Sequence, residues 1–111
     1  MLLMHENATV TICHTKTQDV ASITREADIV VVASGQMESV GEEYLREGQI
    51  VIDVGISYND VKGKLCGDVK YDEVCDLVAG ITPVPGGVGA VTTSVLVRHV
   101  VESAKRRLGN I

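Results

Sequence analysis

Residues 29–33 read Ile29-Val30-Val31-Val32-Ala33, five apolar residues with no polar interruption. Strict alternation would mark a strand with one wet face. A continuous, mostly β-branched run instead marks a strand covered on both faces, as in a parallel sheet flanked by helices. Ile50-Val51-Ile52-Asp53-Val54 repeats that signal. Between the two runs, Ser39-Val40-Gly41-Glu42 has the capping-box pattern for a short helix through Leu45, ended by Gly48.

Working outward, Thr9-Val10-Thr11-Ile12-Cys13 reads as a further strand. Thr17 then offers an N-cap to a helix whose stripe is Val20, Ala21, Ile23, Thr24 and Ala27. Downstream, Gly55 to Gly67 is turn-rich, with Asn59-Asp60 and Lys62-Gly63-Lys64 as breakers. Asp68 can cap a helix carrying Tyr71, Val74, Cys75 and Val78, which Gly80 stops. Ile81-Thr82 is a short extended piece, and a long helix runs from about Thr92 to Arg107. Val95, Leu96, Val100, Ala104 and Leu108 lie roughly on one face of it, and Lys105, Arg106 and Arg107 suit its C-terminus. Strands alternating with helices predict an α/β domain with a mostly parallel sheet.

Composition narrows the function. The 111 residues fit one domain, and 45% hydrophobic against 23% charged residues can bury a core. A net charge of −5 lacks the basic footprint of a nucleic-acid binder, and three tyrosines with no Phe or Trp make a poor stacking platform. No apolar run approaches the roughly 20 residues of a membrane span. The start, Met1 to Asn7, lacks the basic region and apolar length of a signal peptide. Three cysteines, none spaced C-x-x-C, argue against a disulfide scaffold or zinc site and for a reducing, cytoplasmic setting. The histidines form no cluster with metal-ligand spacing, so no metal is assigned. Neither a G-x-S-x-G elbow nor a Walker loop is present.

Ligands on such sheets sit beyond the carboxyl ends of the strands. Four loops are therefore candidates: 14–17, 34–39, 55–58 and 83–89. The last, Pro83-Val84-Pro85-Gly86-Gly87-Val88-Gly89, combines stiff prolines with glycines that let backbone approach a ligand. It reads as a ligand loop or as a strand-to-helix connection. His14-Thr15-Lys16-Thr17 replaces the acidic residue that binds ribose hydroxyls in NAD-preferring domains. A hydroxyl and an ammonium there would hold a 2′-phosphate, or form a helix cap beside a solvated lysine. Asp53 could orient a ribose or a loop amide, or serve as a turn carboxylate. Ala33-Ser34-Gly35 suits backbone packed on a cofactor or any tight turn.

Ile50 to Ile56, then Gly67-Asp68-Val69, then Ile81 to Gly89, in this order and spacing, resemble the bifunctional methylenetetrahydrofolate dehydrogenase/methenyltetrahydrofolate cyclohydrolase family. Thr9 to Thr17 is similar to the family's strand and Cys-His-Ser-Lys-Thr loop, with Thr15 in place of serine. The resemblance spans nearly the whole chain but only the C-terminal part of such an enzyme. It implies a Rossmann-like parallel sheet with flanking helices, lacking the first strand and the Gly-rich loop. Residues 1–111 would be a partial NAD(P)-binding domain, with 92–108 the helix that returns to the family's N-terminal domain. That domain carries the family's catalytic Tyr and Lys, so no catalytic residue is expected in this chain.

The resemblance implies NADP rather than NAD as cofactor, with Thr15, Ala33, Gly35, Ile56 and Thr92 binding it. Pro85, Gly86, Gly87, Val88 and Gly89 would border a tetrahydrofolate substrate. Ala90-Val91 departs from the family's Pro-Met before Thr92. The implied activity is oxidation of 5,10-methylenetetrahydrofolate to the methenyl form and hydrolysis of that to 10-formyltetrahydrofolate, in a homodimer. The isolated chain is expected to be inactive. The alternative is a non-catalytic nucleotide-binding or oligomerisation module.

Overall fold

Three parallel strands form the sheet in a computed structural model that describes residues 2–109. In chain order the elements are α1 (Leu2–His5), α2 (Val20–Arg25), β1 (Ile29–Val32), a 3₁₀ turn (Glu42–Tyr44) and β2 (Ile50–Asp53). Then come β3 (Ser57–Asn59), β4 (Lys64–Cys66), α3 (Tyr71–Val74), β5 (Gly80–Ile81) and α4 (Val88–Arg107). The sheet order is β1-β2-β5, with Val32 beside Asp53 and Val51 beside Ile81. The α/β class and the Rossmann-like parallel sheet follow from this order. Val30, Val32, Leu45, Val51, Val69, Val74 and Val78 make the core, the β-branched packing that the Val-rich runs imply.

Several local expectations are corrected. Thr9–Cys13 takes no regular structure and joins no strand, because among the described residues nothing offers it a ladder. Strand propensity registers only where a neighbour accepts the backbone bonds. β1 is not covered on both faces: Val30 and Val32 are buried, while Ile29 and Val31 are 56% and 51% exposed. Asp19 (φ 49°), not Thr17, is the N-cap of α2, without a side-chain cap bond. The Ser39 capping box does not form: Ser39 Oγ meets Ser34 Oγ at 3.2 Å, and the segment is only a 3₁₀ turn. Asp68 caps no helix; Lys70 is the N-cap of α3, which ends at Val74. Gly80 opens β5 rather than closing a helix.

Residues 57–66, read as loop, are an antiparallel hairpin in which Tyr58 faces Leu65. Asn59 Oδ1 accepts from the Val61 and Lys62 amides, and Gly63 turns the chain at φ 66°. Lys62 Nζ donates to Glu38 Oε1 at 2.7 Å, tying the hairpin to the loop after β1. That bond holds the Lys62 ammonium above its ordinary range.

Gln49, fully buried just before β2, fixes the sheet's opposite end. Its Nε2 donates to the Thr24 and Ala27 carbonyls at 2.7 Å each, and its Oε1 accepts from Arg46 N at 2.8 Å. Both N–H donors and the carbonyl oxygen of the amide are thereby engaged, as burial requires.

The long helix starts at Val88, four residues earlier than expected. Its apolar stripe is open: Val95, Leu96, Val100 and Leu108 are 43 to 68% exposed. The radius of gyration is 16.8 Å, against about 13 Å for a compact chain of this length. The accessible surface is 8198 Å², roughly 2,300 Å² more than a compact monomer of this mass exposes.

Candidate functional site

Because β1, β2 and β5 are parallel and in register, their carboxyl ends open on one edge. The loops 33–39, 54–56 and 82–87 all leave from it. This is where a parallel sheet offers backbone groups to a ligand.

After β1 the chain turns through Ala33, Ser34 and Gly35, all exposed. Gly35 has φ 74°, and a side chain built there would meet nothing within 4 Å. Its outward face is therefore bare backbone. The inward face is gripped: the Ser34 and Gly35 amides both donate to Asp68 Oδ2 at 2.9 Å.

After β2, Asp53 is 3% exposed and faces inward. Its Oδ1 accepts from Gly55 N (3.0 Å) and Asp68 N (3.1 Å), and its Oδ2 accepts from Val69 N (3.0 Å). Of the roles open to Asp53, the loop-amide one is realised. Ile56 lies beyond it, 61% exposed, an apolar side chain held out at the edge.

After β5, the Thr82 hydroxyl accepts from Asp53 N at 2.9 Å, locking the two strand ends together. Val84–Pro85 is a cis peptide, Gly86 has φ 95°, and Gly87 is the N-cap of α4. The Gly87 Cα lies against the Pro83 carbonyl, so a side chain there would overlap that oxygen. Val88 and Gly89, expected in the loop, are the first residues of α4. Their amides precede the first intrahelical bonds and remain available to an oxygen-rich ligand. Thr92 sits one turn in, and its hydroxyl donates to Val88 O at 2.9 Å.

The structure thus brings Ala33, Gly35, Ile56 and the segment from Pro85 to Gly89 to one edge. Thr15 stands apart in an exposed turn closed by His14 N to Thr17 Oγ1 (2.9 Å) and Lys16 N to His14 Nδ1 (3.1 Å). Among the described residues, no hydrogen bond links that turn to the strand ends.

A cavity of about 390 Å³ lies behind the edge, bordered by Asp53, Cys66, Tyr71, Pro83 and Val84. Four carboxylates and three lysines surround it, so it exerts no net pull on a phosphate. Ala33, Gly35 and Ile56 do not line it. The three cysteines are free, and no described helix is long and apolar enough to cross a membrane.

Sequence reasoning missed the role of Asp68. The available signal was small: an aspartate between Gly67 and Val69, preceding a helix of only one turn. The nucleotide fit rests on the edge itself, with open glycine backbone at 35 and 86, an apolar wall at Ile56 and a helix N-terminus at Gly87.

Residues 1–108 match the family described as "Tetrahydrofolate dehydrogenase/cyclohydrolase, NAD(P)-binding domain". The chain is 55% identical over 106 residues to the bifunctional protein FolD of Clostridium botulinum (strain Okra / Type B1), covering 96% of this chain and 37% of that protein. It is 53% identical to the FolD protein of Carboxydothermus hydrogenoformans, covering 95% and 37%. Among solved structures, the bifunctional FolD methylenetetrahydrofolate dehydrogenase/cyclohydrolase of Campylobacter jejuni superposes with a TM-score of 0.89 at 44% identity, covering 96% of this chain and 37% of that one. The Trypanosoma brucei enzyme, solved with NADP cofactor and inhibitor, gives 0.85 at 44% identity, covering 97% and 39%. The chain spans under two fifths of the length of these relatives.

Proposed function

The chain belongs to the tetrahydrofolate dehydrogenase/cyclohydrolase family as its NAD(P)-binding domain, and from that premise we propose that it holds NADP in an enzyme oxidising 5,10-methylenetetrahydrofolate. The observation that carries the reading is the strand edge, where open glycine backbone, the exposed Ile56 and the start of α4 meet. Ala33 and Gly35 leave room for a cofactor backbone. Ile56 packs on its apolar ring, and Thr92 stands one helical turn from Gly87. Pro85, Gly86, Gly87, Val88 and Gly89 border the folate and present amides rather than charges to it. When bound, the nicotinamide cofactor supplies the hydride acceptor. The chain's own contribution is positioning, which keeps the two reactants in reacting geometry and excludes water.

Hydrolysis of the methenyl product to 10-formyltetrahydrofolate falls to the family's folate-binding domain, and no residue of this chain is assigned to it. The excess surface, about 2,300 Å² on this side alone, matches a large permanent interface. In this reading the α4 stripe packs on that domain, and the whole enzyme is a cytoplasmic homodimer. The 111-residue chain by itself should bind NADP⁺ without hydrolysing methenyltetrahydrofolate. Measurable hydrolysis by the pure chain would overturn the division of labour.

Cofactor choice rests on the turn at Thr15 and Lys16, which is free of acidic groups. Replacing Lys16 by Ala and Thr15 by Asp should weaken NADP⁺ binding at least about tenfold, the loss of one charge-assisted bond. NAD⁺ binding should hold or improve. Titration calorimetry with both dinucleotides checks this, and equal losses for the two would place the turn outside the phosphate site.

The exposed α4 stripe also supports a second reading, a nucleotide-binding or oligomerisation module without catalysis. Sedimentation of the 111-residue chain tests it: a monodisperse monomer counts against it.

A further inference from the structure

We propose that Asp68 is the positioning residue for nucleotide binding, its buried carboxylate holding the Ser34–Gly35 loop in the form that leaves Gly35 open to the ligand. This rests on the reading of the strand edge as a dinucleotide site.

Asp68 is fully buried, and the described residues place no cation against it. One oxygen, Oδ2, receives two consecutive amides, Ser34 N and Gly35 N, at 2.9 Å each. Both amides are thereby turned inward, away from the edge. The other oxygen, Oδ1, has no hydrogen-bond partner among the described residues and lies close to Gly55, whose missing side chain makes the room. A single carboxylate therefore touches the loops that carry Gly35 and Ile56.

The carboxylate is itself fixed from behind. Asp68 N donates to Asp53 Oδ1 at 3.1 Å, and Asp68 O accepts from Val40 N at 3.0 Å. Gln36 N to Ser34 Oγ and Ser34 Oγ with Ser39 Oγ are internal to the loop and exposed, while Glu38, at its far end, is anchored by its amide to Gly67 O at 3.0 Å and by its carboxylate to Lys62. None of these bonds engages the Ser34 or Gly35 amide, so they leave the end that carries Gly35 unfixed. Two charge-assisted bonds to a fully buried acceptor, itself held by its backbone, fix that end.

The test uses the protein at its native full length, with three variants. NADP⁺ dissociation constants are measured by calorimetry, and amide exchange at residues 33–37 by mass spectrometry. Asp68→Ala should bind at least about tenfold more weakly, with faster exchange at Ser34 and Gly35, since both amides lose a charged acceptor. Asp68→Asn should bind within a few-fold of the parent, because its amide oxygen still accepts both N–H groups. Gly55→Ala should behave like Asp68→Ala, its methyl group displacing the carboxylate.

Faster exchange without loss of affinity in Asp68→Ala overturns the proposal, as does unchanged exchange. If Asp68→Ala fails to fold, the pair of Asn and Gly55→Ala variants decides, and equal affinities in that pair overturn the proposal. A parent protein that binds neither NADP⁺ nor NAD⁺ overturns the functional reading, and this inference falls with it.

Discussion

Asp53→Ala is expected to leave the domain unfolded or without fixed packing at 25 °C. Asp53 is 3% exposed and accepts three backbone amides. Two of them, on Asp68 and Val69, are on buried residues and make no second hydrogen bond among the described residues. Each amide stranded away from water costs about 1–3 kcal/mol. The lost side chain adds a void against Gly67, so the total is about 4–6 kcal/mol. Domains of this size have about 5–15 kcal/mol in all. Asp53→Asn keeps one carbonyl oxygen and should lose only about 2 kcal/mol. Urea unfolding followed by circular dichroism measures both. A loss below about 1.5 kcal/mol for the alanine variant would show that the amides find other partners.

In the proposed two-domain enzyme, Gly87→Ala is expected to reduce kcat/KM about 100-fold while the fold survives. A methyl group at Gly87 would overlap the Pro83 carbonyl oxygen and press on Thr82 Cβ at 3.2 Å. The obstacle is main chain and cannot swing aside as a flexible side chain would. The loop must open, moving Gly86 and the first amides of α4 with it. A displacement near 1 Å at a positioning segment is enough for a loss of about that size. The loop is exposed to half-buried and makes no part of the valine core, so stability should fall by less than about 2 kcal/mol. Steady-state kinetics with a melting curve separates the effects, and a melting loss as large as the kinetic loss would make the role purely structural.

Much of the sheet was legible because β1 and β2 are short, continuous and rich in β-branched residues. The glycine and proline pattern at 83–87 was legible because those residues restrict backbone directly, whatever surrounds them. The hairpin at 57–66 was not: Ser57, Asn59 and Lys64 carry no apolar alternation, and its pairing is set by Asn59 and Gly63 within the turn. Asp68 looked like a helix cap because its true partners, Ser34 and Gly35, lie 34 and 33 residues away. Local sequence shows the small neighbour Gly67 but not the distant amides that Asp68 accepts. Thr9–Cys13 failed in the opposite sense, since its residues favour extension but a strand also requires a partner. The even coverage expected of β1 failed likewise, because coverage belongs to whatever packs on Ile29 and Val31.

Gly55 gives way to the carboxylate of Asp68, and Gly67 gives way to that of Asp53. The two pairs are crossed, each glycine on one segment making space for the aspartate of the other. Enlarging either glycine alone drives a carboxylate off its amides, and shortening either aspartate alone strands those amides. The four positions therefore cannot drift independently. In a double-mutant cycle, Gly55→Ala with Asp68→Ala should cost less than the sum of the single changes, since the added methyl occupies the vacated volume. For anyone diversifying this scaffold, the four codons behave as one epistatic block, to be randomised jointly or left alone.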